Sequence, residues 1–353
     1  MKKEKQQSGG SPQRVVLIAL CVFLSLVLIM LIAAAVFLNR IYGNINRTRA
    51  EDNYTLSQED AQKLEQEQID EEDTDPSAPV IDENDVIWDS KPSTLVGNDD
   101  NIVNILLIGQ DRRPGEGRAR SDSMILCTFN KKAGTITLTS FMRDMYVQIP
   151  GYQDTRINAA YALGGMELLD ECLAVNFGVH VDANVEVDFS GFEDVVNALG
   201  GVAVYLTESE AGHLNKIGGG EWYLTEGSNY LNGEQALQYS RIRKLDSDFN
   251  RTNRQRNVLS ALIESCQDLS LDRIWSLIDT ILPLVTTDMT NSQISGYVTE
   301  LFPMLSGATI QTQRIPVDDG YEAASIRGMS VLVPDLETNR QFLIDTLSPE
   351  AME

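Results

Sequence analysis

NIVNILLIG at residues 101–109, SMILCTFN at 123–130 and TITLTSF at 135–141, the last two joined by KKAG, decide the fold of this chain. Each run is apolar and bounded by turn-forming residues, which reads as a strand followed by a β-hairpin. Downstream the period changes. INAAYALGGMELLDECLAVNFG (157–178), FSGFEDVVNALGG (189–201) and RTNRQRNVLSALIESCQDL (251–269) repeat apolar residues at helical spacing. Further strands read at NVEVDF (184–189), VAVYL (202–206) and ATIQTQRIPV (308–317), and SVLVPDLETNRQFLIDTL (330–347) supplies a last strand and helix. Strands and helices in alternation indicate an α/β domain with a mixed sheet. One domain over residues 100–318 is long enough to bury its own core, and 319–353 reads as a C-terminal extension.

Upstream, residues 15–38 form an uncharged apolar run of 24, where roughly 20 suffice to cross a bilayer. A cleaved signal peptide would have a shorter apolar core of about 7–15 residues, so a transmembrane helix is expected. Basic residues flank both ends: Lys2, Lys3, Lys5 and Arg14 before it, Arg40, Arg47 and Arg49 after it. The short tail 1–14 carries the denser cluster, and long domains translocate largely regardless of charge. The expected topology is therefore single-pass, with a cytoplasmic N-terminus and an extracytoplasmic C-terminal domain at the cell membrane.

Residues 39–99 read as an acidic stalk, because Glu51–Asp89 carries 15 acidic residues against the single Lys63. With the domain also acidic and the whole chain at −24, nonspecific nucleic-acid binding is excluded as a function. Cys127, Cys172 and Cys266 follow the apolar run without CxxC spacing, so no disulfide framework is implied.

Against this acidity, 11 of the 15 arginines beyond residue 90 fall between Arg112 and Arg156 or between Arg241 and Arg256. A guanidinium cannot be neutralised at working pH and grips phosphate through a planar fork, so clustered arginines call for an anionic ligand, with phosphate or pyrophosphate the natural candidate. GQDRRPGEGRARSDSMIL (109–126) places Asp111, Arg118, Arg120 and Asp122 on a loop between two strands. Two carboxylates beside a phosphate site suit Mg²⁺, and on spacing alone they suit surface pairing with neighbouring arginines equally well. SFMRD (140–144) sets Arg143 and Asp144 just past a strand, and Arg156 and Asn158 stand at a helix start. In LNGEQALQYSRIRKLDSDFNRTNRQR (231–256), Arg241 and Arg243 share a face of an extended turn, while Arg251 and Gln255 are one helical turn apart.

In these blocks, GQDRR, RSDSMIL, SFMRD, RINAAYALGG, VDFSGFEDVVNALGGV, LNGEQALQYSRIR and DFNRTNRQR, residues 101–262 resemble the LytR-CpsA-Psr family of cell-wall glycopolymer ligases. The resemblance implies a three-layer α/β/α sandwich with a central mixed sheet. It implies transfer of an anionic glycopolymer, such as teichoic acid or capsule, from an undecaprenyl-pyrophosphate-linked donor to a peptidoglycan hydroxyl. Carried onto this sequence, Asp111 and Asp122 hold Mg²⁺, and Arg120, Arg143, Arg156, Arg241, Arg243, Arg251 and Gln255 hold the pyrophosphate. Family members often have lysine where Arg156 stands, and a proline commonly precedes Arg143 where this chain has Phe141 and Met142. Asp111 or Asp144 is the expected proton acceptor and Arg143 the electrostatic catalyst. Two other readings share the arginines: a lipid pyrophosphate hydrolase, and a noncatalytic envelope regulator that binds polyprenyl phosphate. His180 and His213 lie outside all the blocks, which disfavours histidine base chemistry.

Overall fold

The structure is a computed structural model and describes residues 95–348 except 111–117, 244 and 246, together with 43, 46–47, 56–57, 59–63, 66, 78–88 and 92 before them. The apolar run 15–38 and most of the acidic stalk lie outside the described residues, and among the described residues no helix is long and apolar enough to cross a membrane. All that follows belongs to the compact unit Asn46–Glu353.

A mixed sheet organises it. Six strands, β2 (Ile102–Gln110), β3 (Ser121–Asn130), β4 (Thr135–Phe141), β7 (Ala183–Asp188), β10 (Thr286–Thr287) and β11 (Thr309–Ile315), are joined at one edge by the two-residue β1 (Asn46–Arg47), giving the order β1-β10-β7-β2-β3-β4-β11. The first three pair antiparallel as the hairpin pattern predicts, and Gly134 at φ +67° turns the chain between β3 and β4. Strands β7 and β11 then run parallel to β2 and β4, reached through long crossovers, as parallel neighbours require.

Period-two alternation sorts the sheet's residues to two faces. Leu106, Ile108, Met124, Leu126 and Phe141 enter the larger core with helix α1 (Asn158–Phe177) and with α8 (Leu336–Leu347). Ile125, Cys127, Ile136 and Leu138 face the other way, against Leu259 and Ile263 of α5 (Asp248–Cys266) and Met304 of α7 (Asn291–Leu305). Burial of the Cys127 and Cys172 thiols pushes both above their ordinary range, to about 12 in Cys127, and Cys127, Cys172 and Cys266 are all unpaired. Helix α1 is not continuous: Gly165 sits at φ +72°, ψ −155°, a conformation open essentially to glycine alone, and kinks it.

VAVYL forms β8 (Val202–Leu206), but away from the main sheet. It pairs antiparallel with β9 (Gly227–Leu231), and this two-stranded sheet packs with α2 (Phe189–Ala198), α3 (Glu208–Ile217) and α4 (Gly233–Ser240) around Val196, Leu214, Ala236 and Tyr239. Residues read as a C-terminal extension carry the hairpin β12 (Tyr321–Ile326) and β13 (Met329–Pro334), then α8, whose Leu336, Leu343 and Leu347 lie in the larger core. Segment 80–88 lies against this hairpin through a bridge from Val80 to Ser325 and the Arg327–Glu83 ion pair, and against the two-residue β5 (Tyr146–Val147), packed on the same hairpin, through the Trp88–Tyr146 ring stack.

Candidate active site

The site forms where the parallel strands β2 and β7 end and β3 begins. Asp122 stands at the second residue of β3, Arg143 two residues past β4, and Arg241 and Arg243 just beyond α4, which ends at Ser240. Helix α5 enters beside them with Asp248, Arg251 and Gln255 on its first two turns.

Arg143 is the hub. Its Nη1 donates to Asp122 Oδ1 at 2.8 Å, and its Nε lies 3.4 Å from Asp144 Oδ1. Arg243 Nη2 approaches the same Asp122 oxygen at 3.6 Å. Arg251 is fully buried and clasps Asp248 with both terminal nitrogens, Nη1 at 2.6 Å from Oδ1 and Nη2 at 2.9 Å from Oδ2. Ser123 Oγ donates to Gln255 Oε1 at 3.2 Å, which fixes the turn of α5 above β3. The Arg241 guanidinium carbon lies over the Phe189 ring, 4.2 Å from its centroid, in a cation–π contact.

The electrostatics show a surplus of positive charge. Burial alone would raise the Asp122 carboxyl, but Arg143, Arg243 and Arg251 outweigh it and hold the group below the ordinary carboxylate range. Burial would depress Arg143, yet Asp144, Asp122 and Asp248 together keep its guanidinium above its ordinary value. Arg251 goes the other way: burial, then repulsion from Arg143, pushes it down to about 10 despite Asp248. Burial likewise lifts the Asp248 carboxyl above its usual range. With Arg241, four arginines stand around the three carboxylates Asp122, Asp144 and Asp248 and form a cradle whose repulsion an anion would relieve.

Behind the cradle opens a cavity of about 280 Å³. Asp122, Arg241, Arg243, Arg251 and Gln255 stand on its wall, with Leu107, Val185, Val187, Phe192, Leu259 and Leu262 making the rest apolar. A site of this kind takes an amphiphile: a charged head on the arginines and a hydrocarbon body in the cavity.

The structure thus brings together Asp122, Arg143, Asp144, Arg241, Arg243, Arg251 and Gln255. Arg156 is buried in the two-residue strand β6 (Thr155–Arg156); its Nη1 lies 4.0 Å from Asp144 and its Nη2 donates to the Ser330 carbonyl of β13 at 2.5 Å. Arg120 is half-buried on the residue before β3, outside the cavity wall, and Asp111 lies outside the described residues. Among the described residues no three acidic, cysteine or histidine side chains gather as a metal site. Sequence reasoning passed over Asp248, Ser123 and Phe189. Asp248 carried a signal, since it stands three residues before Arg251 on one helix. Arg254, at helical spacing from Arg251, turns out of the site: its Nε donates to Glu210 at 2.7 Å and its Nη1 to the Ile242 carbonyl at 3.1 Å.

Residues 44–343 match the profile described as "LytR_cpsA_psr family". The Bacillus subtilis (strain 168) protein named polyisoprenyl-teichoic acid–peptidoglycan teichoic acid transferase TagT is 41% identical over 171 residues, 47% of this chain and 53% of that one. The chain thus spans about half the length of this curated relative. A solved structure titled "TagT bound to LI-WTA" superposes with a TM-score of 0.58 at 32% identity, over 70% of this chain and 91% of that one. Another, of TagT with bound octaprenyl pyrophosphate lipid, gives a TM-score of 0.54 at 29% identity over the same shares.

Proposed function

Because this chain belongs to the LytR-CpsA-Psr family, we propose that it transfers an anionic glycopolymer of the teichoic-acid class from a polyprenyl-pyrophosphate-linked donor to a peptidoglycan hydroxyl. The observation that carries this reading is the arginine cradle at the polar end of an apolar cavity, which matches a pyrophosphate joined to a prenyl chain. The relatives named for this transfer and solved with such lipids support it.

In this mechanism Arg241, Arg243 and Arg251 hold the pyrophosphate oxygens, with Gln255 donating through its amide. Arg143, fixed between Asp122 and Asp144, faces the phosphorus on the sugar side. The acceptor oxygen forms a bond to that phosphorus, the bond to the lipid-phosphate oxygen breaks, and polyprenyl monophosphate leaves. The acceptor proton passes to a carboxylate, for which Asp144 is the candidate among the described residues; Asp111 is the other candidate. Charge gathers on the transferred and leaving oxygens, where prearranged guanidinium groups lower the barrier. Arg120 and Arg156 act at the margin, with Arg156 propping Asp144 against β13.

Asp122 suits Mg²⁺: it is a hard oxygen donor kept ionised by its neighbours. It would share the ion with Asp111, and when bound the ion would supply further neutralisation of phosphoryl charge. Residues 15–38 would anchor the enzyme in the cell membrane, and the acidic segment 39–99 would connect that anchor to the catalytic domain in the envelope.

The test is transfer from a lipid-linked donor to peptidoglycan by Arg243→Ala. Removing one cradle donor should lower turnover about a hundredfold or more. Full activity would overturn the assignment, and release of free glycopolymer phosphate in place of the peptidoglycan adduct would identify a hydrolase.

A further inference from the structure

A second buried cationic group, Arg256 beside Arg314, lies on the neighbouring stripe of α5, outside the amphiphile cavity. Phe249, Arg256, Ser260, Ile263 and Gln267 follow one another at helical spacing, so they form one line along the helix. Contacts fix where that line faces. Phe249 stacks under Arg314 of β11 at 4.5 Å, Ile263 packs on the sheet, and Gln267 Nε2 donates to the Ala308 carbonyl just before β11 at 3.0 Å. Arg256 is therefore held over the ends of β11 and β4, where Arg314 pairs with Ser140 across the strands. Ser140 shares strand parity with Ile136 and Leu138, which places it on the α5 side of the sheet.

Arg256 is only 6% exposed, and its Nε and Nη1 have no acceptor among the described residues; Nη2 reaches Asn253 Oδ1 at a marginal 3.5 Å. Ser140 Oγ and Ser260 Oγ, both buried, also have no partner among the described residues. Burial, with Arg314 adding to it, pushes the Arg256 guanidinium down to about 10, which leaves it charged at neutral pH. Arg314 is itself satisfied by the Pro316 carbonyl and Asp318, so it contributes field without supplying an acceptor. A buried charge with no counterion is strongly destabilising, and buried donors with no acceptor add to the cost.

We propose that Arg256, Ser140 and Ser260 form a binding site for a phosphate-class oxyanion, separate from the pyrophosphate cradle. The helix supplies Arg256 and Ser260 and the strand Ser140, so the unpartnered donors come from two elements, and a charge-assisted bond to an oxyanion would satisfy the guanidinium. The proposal is independent of the transfer reaction. The oxyanion is either free phosphate or a phosphodiester of a polymer.

The experiment uses inorganic phosphate, and glycerophosphodiester in a parallel arm, against the wild type, Arg256→Met and Ser140→Ala. Crystals soaked in selenate locate the anion by anomalous scattering. The expected result is a peak at Arg256 besides any at Arg243, and its loss in Arg256→Met while the Arg243 peak persists. In solution phosphate should raise the melting temperature of the wild type more than that of Arg256→Met, with affinity at this site about tenfold or more weaker in the variant. In phosphate-free buffer Arg256→Met should be at least as stable as the wild type, because it deletes an uncompensated charge. Response to phosphate alone assigns a free ion, and response to both assigns a polymer phosphodiester. Equal phosphate stabilisation of both proteins, a less stable Arg256→Met in phosphate-free buffer, or a peak without any solution effect, which would mean an adventitious ion only, each overturns the proposal.

Discussion

Replacing Arg254 by methionine tests whether the architecture around α5 holds the cradle in place. Arg254 is buried and binds Glu210 of α3 and the carbonyl of Ile242, the residue between Arg241 and Arg243. Methionine fills most of the volume, so the loss is one of charge and hydrogen bonds and not of packing. Breaking a buried ion pair costs about 3–5 kcal/mol, because the surviving charge stays uncompensated. Glu210 keeps partial satisfaction through Thr207, whose backbone N–H and hydroxyl donate to its other oxygen at 2.9 Å, so the lower end, about 3 kcal/mol, is expected. For a domain of this size that corresponds to roughly 6–10 °C in melting temperature. Urea denaturation with an unchanged slope isolates the stability term, and titration with a prenyl pyrophosphate reads the consequence for the site. Freed from Arg254, the Arg241–Arg243 turn should bind that lipid more weakly than the stability loss alone explains. The double variant Glu210→Gln, Arg254→Met should be less damaging than the two single costs added. A single-variant loss under about 1 kcal/mol, or unaltered lipid affinity in the folded protein, would refute the reasoning.

Three further outcomes follow from the same geometry. Burial, reinforced by Asp288 and Glu167 and opposed by the Asn184 bond, pushes the Asp170 carboxyl up to about 7. The native state therefore holds a proton that the unfolded chain loses near pH 4, and this contribution to stability is lost as pH rises from about 4 to about 7. Asp170→Asn should remove that slope and leave the protein more stable than the wild type at pH 8, as measured by urea denaturation across pH. Gly165→Ala forces a side chain into a glycine-only conformation and sets a Cβ 2.3 Å from Arg118 Nη1, so a loss of about 2 kcal/mol or more is expected in thermal unfolding. Phe189→Ala removes the ring beneath Arg241 and should raise the dissociation constant for prenyl pyrophosphate about three- to thirtyfold without unfolding the domain.

Strands β2, β3 and β4 were plain in the sequence because both of their faces are largely buried, while the two-residue β1 and β10 are too short to leave a pattern. Leu106 and Ile108 serve one core while Ile125 and Leu138 serve the other. Strand β9 escaped notice for the opposite reason: GSNYL exposes Ser228 and Tyr230, and only its pairing with β8 makes it a strand. VAVYL was legible as a strand but its sheet was not, since pairing partners depend on contacts distant in sequence. In the site, arginine clustering against an acidic background marked the cradle. What the spacing did not reveal was the division of labour among neighbours on α5, where Arg251 faces the cavity, Arg254 braces Ile242 and Arg256 turns to β11. A rotation of 100° per residue sends adjacent basic side chains to different destinations.

The contact between segment 80–88 and the β12–β13 hairpin also sets a load path. Chain tension arriving from the N-terminal side meets first the two-residue edge strand β1 and then the Val80–Ser325 bridge, the Glu83–Arg327 pair and the Trp88–Tyr146 stack before it reaches β2, β3 or β4 along the chain. A pull on the tether would peel the short edge strand β1 and then this latch, and spare the strands β3 and β4 that position Asp122 and Arg143. The hairpin works as a strain relief, as a clamp does on a cable where it enters its housing.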